Sequence, residues 1–124
     1  MKAKRELYER RLSVYQSVKV LLDAFRPEAT FKPEDLNAFS RNTAEGDFLF
    51  EGRGIPDYLK EMSKKAIQLT SLNKRLSDYH HFPISEERTR YENEASELRY
   101  WFDDQYVAAK EKFKPYLDIS VPTP

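Results

Sequence analysis

The chain has 124 residues, with 21 basic and 21 acidic side chains, zero net charge and no cysteine. That length supports one domain with a core of its own. The charge balance removes the uniform basic field that holds nucleic acid or an anionic membrane, and the missing thiols exclude disulfides and thiolate metal sites.

No apolar run approaches the roughly 18 residues of a membrane span. The opening "MKAKRELYERRL" lacks the apolar stretch of a signal peptide. A protein of the cytoplasm is the expectation. The charges alternate along the chain. Residues 1–26 carry seven positive and three negative charges, and residues 27–57 three and seven. Residues 58–84 carry five and two, and the last forty carry six and nine. Such alternation suits antiparallel neighbours that attract, and it also fits solvated helix faces.

The first predicted helix runs from about Lys2 to Phe25. Leu7, Val14, Val18, Leu21 and Phe25 recur at helical spacing, and Tyr8, Leu12, Tyr15 and Leu22 widen the stripe. Arg11 interrupts this row and is expected to snorkel. Pro27 and Pro33 break the helix. Pro33-Glu34-Asp35 then reads as the first turn of a short helix ending near Gly46, with Leu36 and Phe39 facing the core.

The stretch "DFLFEGRGIPDYL", residues 47–59, poses the main ambiguity. Phe48, Leu49 and Phe50 precede two glycines that permit unusual backbone angles. Arg53 lies between those glycines without the Gly-Lys-Ser/Thr of a phosphate loop. The segment reads as a hydrophobic plug at one end of a bundle, and the competing reading is a ligand loop around Arg53. A third helix follows from about Pro56 to Tyr79, with Leu59, Met62, Ala66, Leu69, Leu72 and Leu76 on its apolar face. Asn73 is expected near the buried seam.

"HHFPIS" forms the next break, and Ser85 reads as an N-cap followed by acids. The last helix spans about Ser85 to Lys114. Tyr91, Ala95, Leu98, Phe102, Ala109 and Phe113 form its inward row, flanked by Trp101 and Tyr106. Pro115 should end or kink it. "YLDIS" is expected as an extended cap and residues 118–124 as a flexible tail. No segment alternates with period two. The fold class is therefore all-α, a small antiparallel bundle of three long helices and one short one, with the domain at 1–117.

Candidate chemistry is sparse. His80-His81 point in different directions, and metal ligation there would need a carboxylate brought in by folding. Glu94 and Glu97 lack the histidine three residues on that di-iron bundles use. No Gly-x-Ser-x-Gly elbow or triad context is present. Lys2, Lys4, Arg5, Arg10 and Arg11 give the first helix a basic end, where nucleic acid is a minor alternative. No catalytic, cofactor or metal residue is assigned.

The notable feature is aromatic content, with eight Tyr, eight Phe and one Trp. Tyr58, Tyr79, Tyr91, Tyr100 and Trp101 are more rings than so small a domain readily encloses. The reading is a non-enzymatic interaction module with Tyr100, Trp101 and Tyr106 as partner contacts, binding another protein or a second copy. The alternative is a small-molecule or metal-binding bundle, with Arg53 or His80/His81 as its loop residues.

The pieces "LYERRLSVYQSVKVLL", "DFLF…PDYLKEMSKKAIQL" and "YWFDDQ…FKPYLDIS" resemble a family of small uncharacterised bacterial proteins. The resemblance implies an all-helical domain and transfers no activity and no catalytic residue. In such proteins a membrane helix commonly precedes the first piece. Met1 lies only seven residues before Tyr8, so no such helix is expected in this chain.

Overall fold

A computed structural model describes residues 2–78 and 85–117. It is a small all-α bundle. The elements are α1 (Lys2–Phe25), α2 (Pro33–Asn42), α3 (Gly46–Leu49), α4 (Gly54–Asp78) and α5 (Glu86–Leu117). Among the described residues there is no strand, and no helix is long and apolar enough to cross a membrane.

α5 packs against both α1 and α4, while α2 and α3 bridge α1 and α4 on the side away from α5. The chain thus winds a four-sided bundle whose fourth side is short. Val14, Val18, Leu21, Leu22 and Phe25 of α1 are buried, as are Met62, Ala66 and Leu69 of α4 and Leu98, Phe102 and Phe113 of α5. These are the rows that the 3.6-residue period selects.

Local signals set the helix starts. Pro33 opens α2, and the Lys32 backbone N–H donates to the Asp35 carboxylate at 3.0 Å. The Ser85 hydroxyl accepts from the Arg88 backbone N–H at 3.1 Å, the N-cap geometry expected of it. Gly52 has φ +72, so the reversal before α4 uses the left-handed region that glycine enters freely.

Three details differ from the sequence expectation. The short helix stops at Asn42, and Gly46 begins a separate turn, α3, instead of ending α2. A Cβ at Gly46 would lie 2.8 Å from Leu59 Cδ1, so α3 packs closely on α4 and a side chain there would have to displace the end of buried Leu59. α5 continues through Pro115 to Leu117. The proline sits in the last turn, where few residues remain to be displaced, and buried Leu117 holds that turn against the core.

The plug is real but uses two of its three residues. Leu49 and Phe50 are buried, whereas Phe48 is 89% exposed. α3 rotates successive side chains by about 100°, so Phe48 and Leu49 cannot both face inward. Phe50 packs edge-on against Phe113 and Tyr116, with ring centroids 5.5 and 5.1 Å away. Arg11 completes this end. Its Nε donates to the Leu49 carbonyl at 2.6 Å, and its guanidinium lies over the Phe50 and Tyr116 rings. Arg11 is therefore a brace between α1 and the plug. The extended cap expected of "YLDIS" is not formed at Tyr116 and Leu117, which are the last turn of α5; the rest of it, the flexible tail over 118–124 and the placement of His80-His81 fall outside the described residues.

Candidate functional site

α5 touches two long neighbours, so its side chains divide into three sets. Leu98, Phe102, Ala109 and Phe113 point into the core. On one flank Tyr106 reaches α1: its hydroxyl donates to Asp23 Oδ1 at 2.5 Å, and the Arg26 guanidinium stacks 4.5 Å from its ring centroid. On the other flank half-buried Trp101 reaches α4. Its ring lies 6.4 Å from that of Tyr58, with Lys65 Nζ 5.3 Å above it.

The third set faces away from the core. Tyr100 and Val107 are each 71% exposed. Seven residues apart, they lie almost in line along the helix. The four acids Glu97, Asp103, Asp104 and Glu111 surround them together with Lys110, all exposed. None of these four enters an ion pair in the described structure, where the pairs are Arg10–Glu45, Arg53–Asp47, Arg53–Asp57 and Arg88–Glu92.

The three aromatics named from sequence thus occupy three directions. Tyr100 is free to contact a partner, Trp101 lies at the α4–α5 seam, and Tyr106 is held to α1. Val107 is a second outward apolar group beside Tyr100, and sequence reasoning missed it. Its seven-residue spacing from Tyr100, opposite the Phe102 row, is the signal that could have found it.

Gln105 was also missed. It is the one polar side chain buried among the described residues. Its Oε1 accepts from the Tyr58 hydroxyl at 2.7 Å, and its Nε2 donates to the Trp101 carbonyl at 2.7 Å. Both amide ends are therefore satisfied, as a buried polar group requires. Its place in the inward row between Phe102 and Ala109 marks it in the sequence.

The tyrosine hydroxyls respond to these surroundings. Burial, then the Glu61 charge and Tyr15, push the Tyr58 phenol well above its ordinary range. Tyr106 is pushed up to about 12 by burial and by the Asp23 hydrogen bond and charge, partly offset by Arg26. Burial also raises Tyr15.

The other candidates are placed as follows. Arg53 pairs with Asp47 at 3.4 Å and Asp57 at 3.1 Å, bracing the start of α4. Asn73 donates to Thr30 at 2.9 Å and accepts from Arg99 at 2.9 Å, tying the linker after α1 to α4 and α5. Two clefts flank α2, of about 180 Å³ and about 80 Å³, and wider depressions of about 440 to 690 Å³ lie open to solvent along α4 and α5. Among the described residues no group of three or more His, Asp or Glu is placed to hold a metal ion.

No protein-family model, curated protein or solved structure matches this chain. The functional reading therefore stands on the geometry of α5 and its neighbours.

Proposed function

We propose that this protein is a non-enzymatic helical interaction module that docks a protein partner on the outer side of α5. The carrying observation is the pair Tyr100 and Val107, both 71% exposed in line on a helix whose opposite face is core. Outward apolar groups at that spacing suit a helical partner laid along α5. The surrounding Glu97, Asp103, Asp104 and Glu111 favour a partner surface carrying lysine or arginine. Trp101 borders this surface toward α4 and serves as its half-buried anchor, since tryptophan is over-represented among residues that dominate binding energy. Tyr106 acts on the fold side, holding α5 to α1. A cytoplasmic setting belongs to the same proposal and suits a cysteine-free chain, as does membership of the bacterial family that the chain resembles.

The test is capture from lysate of the source cells with the tagged chain, the captured protein then being purified and titrated. The double substitution Tyr100→Ser/Val107→Ser should weaken that binding at least tenfold. Val20→Ser, at an exposed residue of α1, should leave it unchanged. Equal binding by all three chains would refute the assignment of α5.

A further inference from the structure

The outward side of α5 carries a register between residues 93 and 111. Steps of four and three residues in turn select Asn93, Glu97, Tyr100, Asp104, Val107 and Glu111, and all six are exposed. At about 100° per residue they fall within a strip roughly 80° wide, opposite the buried row of Leu98, Phe102, Ala109 and Phe113. The strip divides into two sets, each repeating every seven residues. Glu97, Asp104 and Glu111 are carboxylates, and Asn93, Tyr100 and Val107 are uncharged. No base lies in the strip. Its borders add Asp103 and Lys110 on one side and Glu94 on the other, so strip and borders hold five acids and one base. Arg90 and Lys114 stand one step beyond its two ends. Arg99 and Lys112 lie past the borders, against Asn73 and the Tyr58 ring.

The exposed sides of the other long helices mix signs. On α1, Glu6 and Glu9 accompany Arg5, and on α4, Asp57 and Glu61 alternate with Lys60 and Lys64. Charges arranged in that way satisfy one another along the helix. Glu97, Asp104 and Glu111 enter no ion pair in the described structure.

We infer that the partner of this face is an amphipathic helix of another protein, whose own seam alternates lysine or arginine with an aliphatic residue at the same four-three spacing. This rests on the interaction reading above and names the partner's chemistry. Helices that pack along a four-three seam bring their seam positions together turn after turn. In a parallel pair like positions meet, so each carboxylate faces a base while Tyr100 and Val107 face aliphatic side chains. In an antiparallel pair the two kinds of position exchange, and the same alternation satisfies them. A carboxylate covered by a partner needs that base, because a desolvated charge left unpaired is strongly destabilising. A second copy of this chain does not supply one. Parallel copies set Glu97, Asp104 and Glu111 each on its own equivalent, and antiparallel copies cover Asp104 with Tyr100 and Glu97 with Val107. A wholly aliphatic helix fails for the same reason, and a phosphate-bearing surface is repelled. The strip is about 27 Å long at roughly 1.5 Å per residue. A free helix of that length is marginal in water, so the partner segment gains its helical order on this face.

The probe is a labelled synthetic peptide of about three heptads, with Lys and Leu alternating at the seam and neutral helix formers elsewhere. One control peptide carries Glu in place of Lys, and a second has the same composition with the seam order scrambled. Fluorescence anisotropy at about 50 mM salt follows binding to the full chain. The Lys/Leu peptide should bind one to one, at least tenfold tighter than either control, and should weaken as salt rises. Asp104→Lys/Glu111→Lys should reverse the preference toward the Glu peptide, with the circular dichroism spectrum of the chain unchanged. Glu61→Lys, at an exposed acid of α4, makes a charge change away from the strip and should leave the preference as it is. No binding of the Lys/Leu peptide, equal binding of the scrambled one, or a preference that Asp104→Lys/Glu111→Lys does not reverse overturns the basic helix. If a captured protein is lost on Tyr100→Ser/Val107→Ser but kept by Asp104→Lys/Glu111→Lys, the basic helix is wrong and the interaction reading stands. If neither substitution weakens its binding, both fall.

Discussion

Removing the Tyr58 hydroxyl alone should cost more than removing the whole polar pair that it belongs to. In Tyr58→Phe, the Gln105 Oε1 loses its donor at 2.7 Å and stays buried. An orphaned buried acceptor costs about 1–3 kcal/mol. With unfolding entropy near 2.1 cal/mol/K per residue, a 124-residue chain has roughly 260 cal/mol/K, so a loss of about 2 kcal/mol lowers Tm by about 8 °C. Gln105→Leu leaves the Tyr58 hydroxyl orphaned and should cost a similar amount, less what the added apolar burial returns. The Trp101 carbonyl keeps its helical partner, so nothing else is stranded. Combining both substitutions removes donor and acceptor together, and an apolar pair of similar shape is nearly neutral. The doubly substituted chain should therefore melt no lower than the worse single one, a coupling of about 2 kcal/mol in a double-mutant cycle. Calorimetry on the four chains measures it. A double effect equal to the sum of the singles would refute the claim that this bond is a satisfied, isolated pair.

Three further outcomes follow from the packing. Phe50→Ala empties a site enclosed by Phe113 and Tyr116 and should cost about 3–5 kcal/mol, whereas Phe48→Ala should change stability by less than about 0.5 kcal/mol; denaturant midpoints separate the two, and equal losses would overturn the plug as described. Arg11→Met keeps the stem but strands the Leu49 carbonyl contact, for a loss of about 1–3 kcal/mol. Arg10→Met removes only the exposed pair with Glu45 and should cost at most about 1 kcal/mol. The raised Tyr106 value gives an alkaline dependence. Its phenol stays protonated in the fold up to about 12, while an unfolded tyrosine loses its proton from about 10. That contribution is complete below about pH 10 and is lost as the pH rises through about 12. Urea midpoints at pH 9 and pH 11 should fall further apart for the native chain than for Tyr106→Phe.

The sequence by itself determined the helical class and most of the inward rows, although Leu7 and Tyr8 of the α1 stripe lie exposed near the start of that helix. Apolar residues at a 3.6-residue period can be buried only on one side of a helix, so the spacing of Val14, Met62, Leu69, Leu98 and Phe102 alone marks them as inward. Ser85 and Pro33 mark helix starts because capping acts within one turn and needs no distant contact. Effects that depend on two distant segments are not legible in this way. The pattern of Phe48, Leu49 and Phe50 suggests one plug; the turn of α3 against Leu59 decides that only two of them are. The same limit applies to Pro115, where the hold of Leu117 on the core carries the helix three residues beyond the end expected at Lys114. Aromatic content groups Trp101 with Tyr106 as partner contacts, and only the placement of α4 and α1 on opposite flanks of α5 separates them. Tertiary structure likewise gives Arg11 and Gln105 their roles, because a buried polar group is stable only when a distant segment supplies its hydrogen bond. Periodicity along a chain records which face is buried, and packing between helices decides which neighbour covers it and which side is left to a partner.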